Sequence, residues 1–132
     1  MNNRNRSGIA RFLQQYRDGH KNELNLSAVK ETVLNVNGSD VKFIEYETTD
    51  KEDFVKVCTN DHNLGVAAEY AWFKNKYIDA ECTGQEFKKI KFNGNKTGVD
   101  ILTVIISDDC IRDVYFDISD MMEDLKNIAL EK

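Results

Sequence analysis

Residues 32–48 read TVLNVNGSDVKFIEYET, and this stretch decides the fold class. Apolar side chains alternate on both sides of Asn37-Gly38, a dipeptide whose residues accept the positive φ that a tight hairpin turn demands. The pattern predicts two antiparallel strands. A third short strand, FVKVCT at 54–59, follows the polar run TTDKED. The same device returns at 92–118, FNGNKTGVDILTVIISDDCIRDVYFDI, preceded by the alternating segment QEFKKIKF. There the middle strand is apolar on both faces (Val99, Ile101, Ile105 and Leu102, Val104, Ile106), as expected of a strand covered on both sides. The two regions share the order strand, Asn-Gly turn, strand, acidic turn, strand, helix at an offset of 56 residues. That order suggests an α-βββα-βββα pseudo-repeat.

Between them lies VCTNDHNLGVAAEYAWF, residues 57–73. Thr59, Asn60, Asp61 and Asn63 offer oxygens for the free amides of a first helical turn, which predicts a helix over about 62–77. Val66, Tyr70, Phe73 and Tyr77 fall four, three and four apart, and this spacing predicts one apolar stripe facing the sheet. Trp72 projects away from that stripe, either under another element or into a contact surface. Ser7 and Gly19 bracket a predicted N-terminal helix with Ile9, Phe12, Leu13 and Tyr16 on one face. Ser119 is expected to cap a C-terminal helix presenting Met122, Leu125, Ile128 and Ala129. The expected fold is therefore α+β: an antiparallel sheet of five or six strands packed by the central helix, with terminal helices covering the rest. A helix ahead of an antiparallel meander is similar to the element order of cystatin-like and NTF2-like folds, although no motif accompanies the likeness.

With 132 residues, the chain suits a single domain, 1–132. Hydrophobic residues at 41% and charged residues at 31% are the balance of a folding chain rather than a disordered one. No apolar run approaches the roughly 18 residues of a membrane helix, so no membrane partner and a cytoplasmic location are expected. Cys58, Cys82 and Cys110, odd in number and unevenly spaced, read as reduced thiols. A net charge of −5 argues against direct binding of nucleic acid.

The chemistry-bearing patterns are sparse. Cys58 and His62 lack the further ligands a zinc site needs, and Cys58 continues the alternation of FVKVC as a small core residue beside a surface histidine. GNKT at 94–97 lacks phosphate-loop spacing and reads as a hairpin turn. Asp79 with Glu86-Phe87-Lys88 only sketches a nuclease-like set, in a stretch rich in charge. No catalytic residue, metal or cofactor is assigned. The remaining feature is charge. Arg4, Arg6, Arg11 and Arg17 mark the N-terminal segment, while residues 108–124 hold seven acids against Arg112.

Strand alternation puts Asp113, Tyr115 and Asp117 on the face opposite Val114 and Phe116, near Asp108, Asp109 and Asp120. These six residues, together with Trp72, form the expected partner-binding surface, since carboxylates steer a basic partner and aromatics anchor it. The function expected is that of a small acidic protein-binding module. It would inhibit a basic enzyme or nucleic-acid-binding protein, in the manner of immunity or anti-defence proteins, as a monomer or homodimer. The alternative is a small-ligand binder or enzyme with a pocket between helix and sheet, lined by Tyr70, Phe73, Tyr77 and Cys58.

Overall fold

The computed structural model describes residues 24–48, 52–107 and 109–122. Their elements run β1 (Ala28–Val36), β2 (Ser39–Tyr46), β3 (Glu52–Cys58), α1 (His62–Lys76), β4 (Glu81–Phe92), β5 (Asn95–Ser107) and β6 (Cys110–Asp117), followed by a helical turn over 119–122. The expected N-terminal helix and residues 125–129 of the expected C-terminal helix lie outside the described residues.

Both Asn-Gly hairpins form as their chemistry dictates. Asn37 and Gly38 take φ of 53° and 90°, and Asn93 and Gly94 take 48° and 87°. Positive φ at both central residues gives a two-residue turn the twist of its flanking strands. Three-strand meanders result on either side of α1.

The six strands make one sheet in the order β1-β2-β3-β6-β5-β4. It is mixed, which corrects the expectation of a wholly antiparallel sheet: β3 and β6 pair in parallel, with Phe54 opposite Tyr115 and Val55 opposite Phe116. The helix explains the difference. Fifteen residues of α1 span about 22 Å at 1.5 Å per residue, close to the length of the seven-residue β3. The chain is thereby returned to the end from which β3 started, so β4 runs parallel to β3, β5 runs against it, and β6 runs with it again.

Helix α1 begins where Asp61 accepts the Leu64 amide at 3.1 Å and ends as the Tyr77 amide donates to the Phe73 carbonyl at 2.8 Å. Lys74 and Lys76 in its last turn suit the helix dipole. Its buried side is Gly65, Ala68, Glu69, Trp72 and Phe73, not the expected Val66–Tyr70–Phe73–Tyr77 stripe. Val66 is exposed, and Trp72 lies in the core with its ring edge-on to Phe116 at 5.9 Å. A bulky indole buries more apolar area than a valine, so the helix is rotated to place Trp72 inward. Around it gather Val36, Val41, Phe43, Val55, Val57, Leu102, Val104, Val114 and Phe116. The closing turn packs on the same side. A Cβ on Gly65 would lie 1.7 Å from the Met121 sulfur, so any larger residue there would displace the Met121 side chain.

The second face of the sheet is also covered. Leu24, Phe54, Ile90, Phe92, Val99, Ile101 and Tyr115 form a separate cluster there. Phe92 pairs with Asn95, six positions along β5 from Ile101, which pairs with Tyr115 beside Phe54. A straight strand would separate those levels by about 20 Å. The rings of Phe92 and Phe54 nevertheless stack at 4.5 Å, so the far half of the β4–β5 hairpin curls back over this face. Leu24 ties down its tip, donating to the Lys91 carbonyl and accepting from the Asn93 amide, both at 2.8 Å. No helix among the described residues is long and apolar enough to cross a membrane.

Candidate functional site

The acidic residues singled out in the sequence are dispersed by this fold. Asp108 lies outside the described residues. Asp109 is exposed at the β5–β6 turn, and Asp120 forms a 3.6 Å ion pair with Lys56. The alternate residues of β6 are not a solvent face: Asp113, Tyr115 and Asp117 are 3%, 2% and 4% exposed. Ile90 and Phe92 of the curled hairpin and Leu24 pack in one cluster with Tyr115. Asp113 accepts the Thr103 hydroxyl at 3.2 Å, and Asp117 accepts the Ser119 amide at 2.9 Å, opening the last helical turn. Burial raises the pKa of the Asp117 carboxyl, against the lowering effect of that bond. Tyr115 stacks on Phe54, and burial, followed by the charges of Asp113, Glu52 and Glu86, drives its hydroxyl well above the usual tyrosine range. Trp72, at 2% exposed, is likewise interior.

Two of the residues expected to line a helix–sheet pocket, Phe73 and Cys58, are not brought together. Phe73 is fully buried in the core, whereas Cys58 alternates with Phe54 and lies on the opposite face of the sheet from α1. Burial pushes the Cys58 thiol up, away from the reactive thiolate form. Asp79 is exposed, and the Glu86 carboxylate is paired with Lys88 at 3.1 Å.

Sequence reasoning missed a charged cluster at the C-terminal end of α1. Asp53, on the helix-covered face of β3, accepts the Tyr77 hydroxyl at 2.6 Å and the Arg112 Nε at 2.8 Å. A second Arg112 nitrogen lies 3.2 Å from its other oxygen, and the Lys76 ammonium 3.4 Å away. Two-pronged contact of a guanidinium with a carboxylate is the strongest form of such a pair. Burial, reinforced by the bond to Asp53, raises the Tyr77 hydroxyl, so Tyr77 stays a donor. The signal for this cluster was Arg112, the single base among the acids of 108–124.

Lys76 links the cluster to a shallow groove. Its ammonium lies 5.0 Å from the centre of the Trp72 ring and 3.7 Å from Glu45. The groove, of about 170 Å³, lies between α1 and β1 and is lined by Lys30, Thr32, Leu34, Glu45, Trp72, Asn75 and Lys76. Thr32 donates to Glu45 at 3.2 Å. Among the described residues Lys30 has no ion pair.

Beside the groove is the open edge of the sheet. Strand β1 pairs only with β2 among the described residues, at eight positions whose register shifts only between Ala28 and Lys30. Val29 and Val33 on its second face are 60% and 58% exposed. The opposite edge, β4, is guarded by Lys88, Lys89 and Lys91, by a register shift near Gly84 and by Leu24 at its end. Among the described residues only β1 combines an outer edge without a partner strand, exposed valines and an adjoining groove. Comparison with protein-family models, curated proteins and solved structures finds no match.

Proposed function

We propose that the chain is a protein-binding module that receives an extended segment of a partner protein along the edge of β1. The observation that carries this reading is the edge itself: among the described residues the nine-residue β1 has no partner on its outer edge, and Val29 and Val33 are exposed beside it. A strand added there gains main-chain hydrogen bonds, and alternate side chains of the guest supply specificity. The net charge of −5, with Glu31, Asp40 and Glu47 exposed on β1, β2 and the residue after it, favours encounter with a partner that is basic overall. Binding of this kind inhibits by occlusion, the segment held on β1 being withdrawn from its own work. The groove beside β1, of about 170 Å³, is itself below the roughly 300–1,000 Å³ of ordinary small-ligand sites.

The test is capture of a partner on the immobilised protein, followed by amide hydrogen exchange of the complex. Protection gained over residues 28–36 is expected, together with at least tenfold weaker capture by a folded Val29→Asp, Val33→Asp variant. Protection confined to 109–120, with capture by that variant unchanged, would overturn the proposal.

A further inference from the structure

A strand laid beside β1 places every second side chain on the helix-covered side, next to Lys30, Thr32 and Leu34 and against the flank of α1. The groove there has room for one side chain. Its floor is the edge of the Trp72 ring, and its charged walls are Lys30 and Lys76 against Glu45. Lys76 is committed, held within 3.7 Å of Glu45 and 3.4 Å of Asp53. Glu45 in turn accepts from Thr32. Lys30 is left as the cation without an ion pair among the described residues, and the Asn75 side-chain amide provides a neutral donor on the helix side. From this juxtaposition, and resting on the β1-edge reading above, we infer that the groove selects a guest strand bearing a carboxylate side chain, Asp or Glu, at the position facing Lys30 and Trp72.

The same chemistry argues against a second copy of this chain as the guest. On the groove side β1 carries Lys30, Thr32, Leu34 and Val36, with no acid among them. An antiparallel β1–β1 pairing could offer the groove only Lys30, Thr32, Leu34 or Val36 of the other copy, so it brings no carboxylate to face Lys30. A heterologous strand with an acid at one groove-facing position, and basic residues on its other face toward Glu31, satisfies both sides of β1. A guest of that kind is compatible with a partner basic overall.

The experiment uses the full chain and nine-residue strand peptides with alternating Thr and Val. The central residue is Glu, Gln or Lys, and binding is read by fluorescence anisotropy at low and high salt. The Glu peptide is expected to bind about fivefold more tightly than the Gln peptide, the upper range for an exposed pair, with the Lys peptide weakest. The preference should shrink with salt, disappear in Lys30→Gln and turn toward the Lys peptide in Lys30→Glu. Lys30 is exposed, so neither variant should disturb folding. Equal affinity for Glu and Gln peptides, with exchange protection still on β1, would overturn the carboxylate selection and leave edge pairing standing. Failure of every peptide to bind would overturn both. Concentration-dependent dimerisation with β1 protected would also refute the inference, since the guest would then be a second copy.

Discussion

Replacing Glu69 by Gln should make the protein more stable at neutral pH, and the size of the gain should grow with pH. Glu69 lies on the buried side of α1 with no exposed area, and neither carboxyl oxygen has a hydrogen-bond partner of good geometry among the described residues. Burial, then its contact and charge interaction with Asp100 on β5 and with Cys82 on β4, raises its pKa from 4.5 to about 10. Glu69 is therefore protonated in the folded protein and ionised in the unfolded chain at pH 7. Because the folded value is the higher, its contribution to stability is complete below about pH 4.5 and is lost as pH rises toward 10. Over that window the folding constant falls by up to tenfold per pH unit. From 4.5 to 7 this is about 3 kcal/mol, a large part of a small domain's stability of roughly 5–15 kcal/mol. Gln keeps the shape, carries no charge and can donate to Asp100. Urea unfolding midpoints at pH 5, 6, 7 and 8, converted with a common slope, should differ by only about 1 kcal/mol between the two proteins at pH 5. By pH 7 the variant should be ahead by about 3 kcal/mol. Taking the difference between proteins cancels other titrations, including that of Asp117. Parallel curves, with no growth of the gap between pH 5 and 8, would refute the reasoning and mean that water reaches Glu69.

Asp53→Asn should cost about 3 kcal/mol in thermal or urea unfolding, since Arg112 and Lys76 then lose the negative charge between them. Tyr77→Phe, which removes one bond and leaves the ion pair, should cost about 1 kcal/mol by the same measurement. Trp72, the single tryptophan, should emit at short wavelength in the native protein, resist acrylamide quenching and shift to the red on unfolding. Timed thiol alkylation with mass spectrometry should label exposed Cys110 before half-buried Cys58 and Cys82, because burial raises the Cys58 thiol and slows its attack.

What could be read from the sequence was local chemistry. The Asn-Gly turns at 37–38 and 93–94 carry their backbone geometry in two residues, and Asp61 marks the helix start within three. The helix face could not be read in the same way, because Glu69 sits in the buried stripe and Val66 outside it, which blurs the apolar period. The parallel pairing of β3 with β6 depends on α1 returning the chain to the start of β3, a consequence of lengths rather than of any motif. Asp113 and Asp117 alternate with Val114 and Phe116 as a half-buried strand would. The second face is interior for a tertiary reason: Ile90 and Phe92 of the β4–β5 hairpin and Leu24 pack over it with Phe54 and Tyr115. The β1 edge was legible as a strand, but its being an edge depends on which strands its neighbours choose.

The parallel seam also bears on how the chain reaches this structure. Glu52 lies opposite Asp113, 61 positions away in sequence, whereas each meander is built from neighbouring hairpins. Hairpins close within microseconds, but a contact across such a separation must overcome a larger loop-closure entropy before anything rewards it. The two halves are thus expected to gain their internal pairings first and to dock late, and the refolding rate to respond to changes at Val55 and Phe116 more than to changes in either Asn-Gly turn. Until docking, β3 and β6 are themselves bare edges rich in Phe, Val and Tyr. The interval before they meet is when two chains are most exposed to pairing with each other's halves, and refolding at high dilution should recover the most monomer.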